Sequence, residues 1–139
     1  MVDQNAQIAW IIDNDEIYKY GFCKYVEVKE LCARVVAFSD GRKAIRFLTD
    51  PHKAANLPDI IFMTIEMPLM NGWEFIKAFE QIKAKIDKKI SIFLLTSSIS
   101  YQDILQAQNH PDVTDYMMKP VDSRQFDFAF TSELSKKTA

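Results

Sequence analysis

Hydrophobic positions along the chain gather into four short unbroken runs, IAWII (8–12), ARVVAF (33–38), DIIFM (59–63) and ISIFLL (90–95), with a weaker fifth, DYMM (115–118). Runs of this length without polar alternation predict strands buried on both faces, as parallel strands covered by helices are. Helical spacing fills the intervals. Phe75, Ile76, Phe79, Ile82 and Ile86 make one stripe over 73–86, and Ala44, Ile45 and Leu48 make a shorter one that Pro51 ends. The last helix is expected to start at Asp122, with Gln125 completing the cap, and to bury Phe126, Phe130 and Leu134. The helix after the first strand is apolar on two sides: Ile17, Tyr20, Gly21, Val28 and Leu31 form one stripe, and Tyr18, Phe22 and Tyr25 another. Only one can face the sheet. Either loops partly cover the other, which is the plainer expectation, or it is an exposed aromatic patch for association.

Five strands alternating with five helices predict an α/β domain, a doubly wound five-stranded parallel sheet with helices on both faces. No repeat, low-complexity tract or linker divides residues 1–139, so a single domain without an effector domain is expected. In such sheets ligands bind beyond the carboxyl ends of the strands. The residues there are Asp13-Asn14-Asp15, Thr64, Thr96-Ser97-Ser98 and Lys119-Pro120, and the topology predicts that they converge.

Charge and composition narrow the function classes. Seventeen Lys and Arg against 19 Asp and Glu leave a net charge of −2, which gives nucleic acid or an anionic membrane surface no electrostatic handle. No apolar run approaches the roughly 20 residues of a membrane span, and the start MVDQNAQ is unlike a signal peptide. Cys23 and Cys32 lack metal-ligand spacing and read as reduced thiols, so a cytoplasmic location is expected. His52 and His110 lie in polar loops and are given no role.

The motifs IIDNDEI, DIIFMTIEMPLMNGWEFI, FLLTSS and DYMMKP, in this order at these strand ends, resemble the receiver domain of two-component response regulators over nearly the whole chain. The resemblance implies a flavodoxin-like (βα)5 fold with strand order 2-1-3-4-5. It also implies a pocket in which an acidic pair and an aspartate hold magnesium, the aspartate accepts phosphate from a histidine kinase, and a hydroxyl and a lysine hold the phosphoryl oxygens. By position, Asp13 matches the first acidic residue, Asn14 the second, Thr64 the phosphoacceptor, Thr96 the hydroxyl and Lys119 the lysine. Glu66 matches a position at the pocket mouth whose backbone carbonyl reaches the metal in the family. Tyr116 matches the switch aromatic, and the Lys119-Pro120 bond is expected to be cis.

Two positions depart from the pattern. Asn14 offers oxygen without charge, and Thr64 offers a neutral hydroxyl where the carboxylate nucleophile should be. Magnesium wants hard, charged oxygen ligands, and phosphoryl transfer depends on charge neutralisation. With Asp13 and Lys119 alone the pocket is formally neutral, so metal binding is expected to be weak or absent and no cofactor is implied. Opposite charges about 4 Å apart attract by roughly 4 kcal/mol at an effective dielectric of about 20, before desolvation, so a direct Asp13 to Lys119 contact can take the ion's place. Simpler readings stand beside these: Asn14 as a helix cap, Thr64 as a β-branched strand end, Thr96 and Ser97 as caps of the fourth helix, Lys119 as a surface lysine.

The expected function is that of a stand-alone, non-enzymatic interaction module of a two-component phosphorelay, acting without aspartyl phosphorylation. Its expected partners are signalling proteins such as a histidine kinase or another response regulator, with a homodimer left open. In the family the usual partner face is formed by the fourth helix, fifth strand and fifth helix, here near Tyr101, Tyr116 and Phe128. Two alternatives remain: a receiver phosphorylated elsewhere, on Glu66 or Thr64, and a flavodoxin-like cofactor binder. The acidic loop DNDEIY, poor in phosphate-cradling residues, speaks against the second.

Overall fold

The computed structural model describes residues 7–98 and 100–138, with side chains of the last helix described through residue 133. Strands β1 (Ile8–Ile12), β2 (Arg34–Phe38), β3 (Ile60–Thr64), β4 (Ser91–Thr96) and β5 (Asp115–Met118) alternate with helices α1 (Glu16–Val28), α2 (Gly41–Thr49), α3 (Gly72–Ile82), α4 (Tyr101–Asn109) and α5 (Ser123–Thr138). All strand pairs are parallel, in the order β2-β1-β3-β4-β5. The expected doubly wound topology is therefore present. The order reverses between β1 and β3, where a site forms in this architecture.

Unbroken apolar runs are needed because each central strand feeds two cores at once. Ile8, Trp10 and Ile12 of β1 face α2 and α3, with Ile61, Met63, Phe75, Ile76 and Phe79. Ala9 and Ile11 face α1 and α5, with Phe22, Phe62, Phe93, Phe126 and Phe130. Phe62 stacks on Phe93 at 5.3 Å between ring centres and meets Phe126 edge-on at 5.4 Å. The outer strands differ from expectation: β2 and β5 mix exposed residues with covered ones, because an edge strand has a neighbour on one side only.

Helix boundaries follow local capping chemistry. Asp15, rather than Asn14, caps α1: its Oδ1 accepts the N–H of Ile17 at 3.0 Å and of Tyr18 at 3.1 Å. Ser100 caps α4 in a reciprocal box with Asp103, so neither Thr96 nor Ser97 is spent there. Asp122 Oδ1 accepts the N–H of Arg124 at 2.8 Å while Gln125 Oε1 accepts that of Asp122 at 3.2 Å, the expected start of α5. Phe126 and Phe130 are buried as expected, and the Leu134 side chain lies outside the described residues. The stripe predicted over 73–86 is broken, since α3 stops at Ile82 and a 3-10 turn covers Lys83–Lys85.

One position on this frame tolerates little change. At Gly72 an added Cβ would lie 2.9 Å from Ile65 Cα, so the first turn of α3 can approach the end of β3 only with glycine there. On α1 the Phe22 and Tyr25 side faces α5, and Ile17, Tyr20 and Val28 remain 85%, 67% and 78% exposed. The covered-stripe expectation fails for those three residues. Helix α1 lies against α5 on its other side, where Tyr25 donates its hydroxyl to Asp127 at 2.5 Å.

Candidate functional site

The carboxyl ends of β1, β3, β4 and β5 bring Asp13, Thr64, Thr96 and Lys119 to one end of the sheet. Asp13 follows β1 directly, and its N–H is held by Phe38 O at 3.0 Å, which carries the β1–β2 pairing one residue beyond the strands. Its carboxylate is 1% exposed and fully engaged: Oδ2 accepts Lys119 Nζ at 2.5 Å and Oδ1 accepts the Asp15 N–H at 2.9 Å. Lys119 reaches it from beyond β5, where its own N–H donates to Thr96 O at 2.7 Å and the Lys119-Pro120 bond is cis. Lys119 is thus tied to Asp13 and is no free surface lysine.

Thr64 ends β3 and is buried. Beside it, Thr96 ends β4 fully buried, donates its hydroxyl to Glu66 Oε1 in a short contact, and accepts the Ser98 N–H at 3.1 Å. Glu66 itself is exposed, in the loop between β3 and α3, so its carboxylate turns in from the pocket mouth. Asn14 is exposed and makes no cap, which removes the structural reading given to it. Tyr116 is half-buried against the α4-side core.

Two participants were not singled out from sequence. Tyr18 places its ring 4.4 Å below Lys119 Nζ, a cation–π contact, and its buried hydroxyl has no hydrogen-bond partner among the described residues. Burial first, and the Asp13 charge second, push the Tyr18 phenol up to about 12. Lys19 is buried on the inward side of α1 and bonds Glu16 Oε1 at 2.6 Å and the Ser39 hydroxyl. Its position three residues before Phe22 and seven before Val26 was the available signal, since a lysine on the inward period needs a partner.

His110 also departs from expectation. Given no role from sequence, it follows α4, pairs through Nε2 with Glu80 of α3, and accepts the Asp112 N–H at Nδ1, 3.1 Å away. Asp112 in turn holds Lys83 at 2.9 Å. These groups tie α3 to the α4–β5 loop.

The model of the response regulator receiver domain matches residues 9–130. The chain belongs to that family. Among solved structures, this receiver domain is similar to a two-component response regulator from Cytophaga hutchinsonii, at 25% identity and a TM-score of 0.79, covering 94% of this chain and 98% of that one. A response regulator receiver protein from Dyadobacter fermentans DSM 18053 shares 22% identity at a TM-score of 0.76, with 91% and 97% covered. The signal receiver domain of a signal transduction histidine kinase from Syntrophus aciditrophicus shares 21% at 0.77, with 94% and 92% covered. No curated protein matches the chain. Among the described residues no helix is long and apolar enough to cross a membrane. Both cysteines are free thiols.

Proposed function

We propose that this receiver domain is a non-enzymatic interaction module of a two-component pathway that works without aspartyl phosphorylation and without magnesium. The observation carrying the reading is the Asp13–Lys119 pair at 2.5 Å beside a threonine, Thr64, at the end of β3. A divalent cation needs several oxygen ligands with negative charge. Here the one buried carboxylate of the pocket has both oxygens engaged, the Asn14 side chain points to solvent exposure, and Glu66 Oε1 is on Thr96. That donor set suits magnesium poorly, and Lys119 already supplies the compensating charge. Thr64 in turn lacks the carboxylate that attacks phosphorus to form an acyl phosphate.

A partner surface is what such a domain keeps. Tyr101 and Phe128 are 74% and 73% exposed on α4 and α5, and Ile17, Tyr20 and Val28 of α1 are exposed as well. Exposed apolar groups of this size on a small domain favour protein partners, such as a histidine kinase or another response regulator. Membership of the receiver family displaces the cofactor-binding alternative. Glu66 gives a second reading some footing, because an exposed carboxylate beside Thr96 is chemically able to accept a phosphoryl group. Thr64 is a poorer acceptor for a kinase, being buried.

The deciding experiment is intact mass after incubation with acetyl phosphate and magnesium. The reading expects no mass change. A gain of one phosphate that hydroxylamine removes overturns it, and Glu66→Gln then reports whether Glu66 was the acceptor.

A further inference from the structure

Away from the strand-end pocket, α3 and the loop after α4 gather a different set of donors. Glu80, His110 and Asp112 each offer one atom, and these atoms lie within 4.8 Å of one another. Among the described residues no other three of His, Cys, Asp and Glu come so close, those of the strand-end pocket included. The backbone prepares the arrangement. His110 to Val113 form a turn closed by the Val113 N–H on His110 O at 3.2 Å, with Pro111 at the second position, where its fixed φ suits the turn. His110 and Asp112 are therefore held on one short turn, and Glu80 meets them from α3, the helix that buries Ile76 and Phe79.

One imidazole nitrogen and two carboxylates suit a borderline divalent ion better than a hard one, because nitrogen ligands favour zinc and all-oxygen sets favour magnesium. We propose that Glu80, His110 and Asp112 form a zinc-class site, with water completing a four-coordinate shell. Zinc bonds of about 2.0 to 2.2 Å set tetrahedral ligands about 3.4 Å apart, so the three side chains draw inward on binding. Two contacts give way. Lys83 now neutralises Asp112 from 2.9 Å, but its side chain is 45% exposed and is readily rehydrated on release. Nδ1 of His110 accepts the Asp112 N–H, so the neutral ring carries its proton at Nε2, toward Glu80. The ion takes Nε2, the ring proton moves to Nδ1, and the Asp112 N–H turns to water. Bound there, the ion joins α3 to the loop leading into β5. The inference concerns a corner apart from the Asp13 pocket and stands whether or not that pocket takes phosphate.

The test titrates the isotope-labelled full chain, stripped of metal with EDTA, with zinc chloride in a non-chelating buffer. One zinc per chain is expected, with saturable shifts at the amides of residues 80 and 110–113 and at the His110 ring, and a thermal midpoint that rises with zinc. His110→Ala and Glu80→Gln should each weaken binding by more than about tenfold. Lys83→Gln removes the competing ammonium and should tighten binding several-fold, an effect that a merely structural ion pair at Asp112 does not produce. Cys23→Ser should change nothing, since burial pushes the half-buried Cys23 thiol up, away from the thiolate that a metal needs. Magnesium at the same concentration should leave these amides unmoved. The proposal is overturned by the absence of saturable shifts, by binding that survives His110→Ala or is lost with Cys23→Ser, by a Lys83→Gln variant that binds no tighter, or by magnesium binding as well as zinc.

Discussion

The strand-end pocket and the outer faces of α1, β5 and α5 are opposites in how their chemistry is satisfied. In the pocket, Asp13, Lys119, Thr96 and Glu66 all bond one another or nearby backbone, and the formal charge of Asp13 with Lys119 is zero. On the outside, Ile17, Tyr20, Val28 and Phe128 lie open to water. A pocket that has satisfied itself has little left to offer an ion or a phosphoryl group. Apolar surface left open has everything to gain from a partner, at about 25 cal/mol per Å² of apolar area covered.

Substitutions should sharpen that contrast, and the largest effect belongs to the pocket. Asp13→Ala leaves the Lys119 ammonium, itself mostly buried, without its carboxylate, and should cost about 3 kcal/mol in denaturant unfolding, the low end for a broken buried pair because Lys119 keeps some solvent contact. Gly72→Ala should cost about 1 to 3 kcal/mol, since the added Cβ meets Ile65 backbone, which has no flexible end to move aside.

Tyr18 adds a pH dependence. Its phenol rises from 10.0 in the unfolded chain to about 12 in the folded one, so the neutral form is favoured by folding. The stabilisation is complete below pH 10 and is lost as pH rises through about 12. Tyr18→Phe should remove this share of the alkaline loss, and at neutral pH it should change stability by less than about 1 kcal/mol because the hydroxyl has no partner to lose. The smallest effect is expected outside: Ile17→Ser should stay within about 0.5 kcal/mol of the parent. A cost of several kcal/mol there would mean that α1 is not the open face it is taken to be.

Much of this was legible in the chain. Continuous apolar runs at 8–12, 59–63 and 90–95 can be satisfied only by strands covered on both sides, and the strand-end motifs then fixed where Asp13, Thr64, Thr96 and Lys119 must meet. What could not be read was settled by neighbours far away in sequence. The edge positions of β2 and β5 came from sheet order, and which stripe of α1 turned inward depended on Phe126 and Phe130 of α5. Asp15 and Asn14 are both good caps by type, and only the backbone geometry after β1 chose between them. Tyr18 under Lys119 and Lys19 beside Ser39 are contacts of the same kind, made by α1 with strand ends it does not adjoin in sequence.

The most direct measurement is the thermal unfolding midpoint with and without millimolar magnesium, for the natural chain and for the Thr64→Asp, Asn14→Asp double substitution. If the pocket is balanced by Asp13 and Lys119 alone, magnesium leaves the natural midpoint unchanged. The double variant, with like charges returned to one pocket, should melt lower without the ion and recover as magnesium is added. A natural chain whose midpoint climbs by several degrees with magnesium would contradict the claim, because the ion would then have found a site that Asp13 and Lys119 are held to have closed.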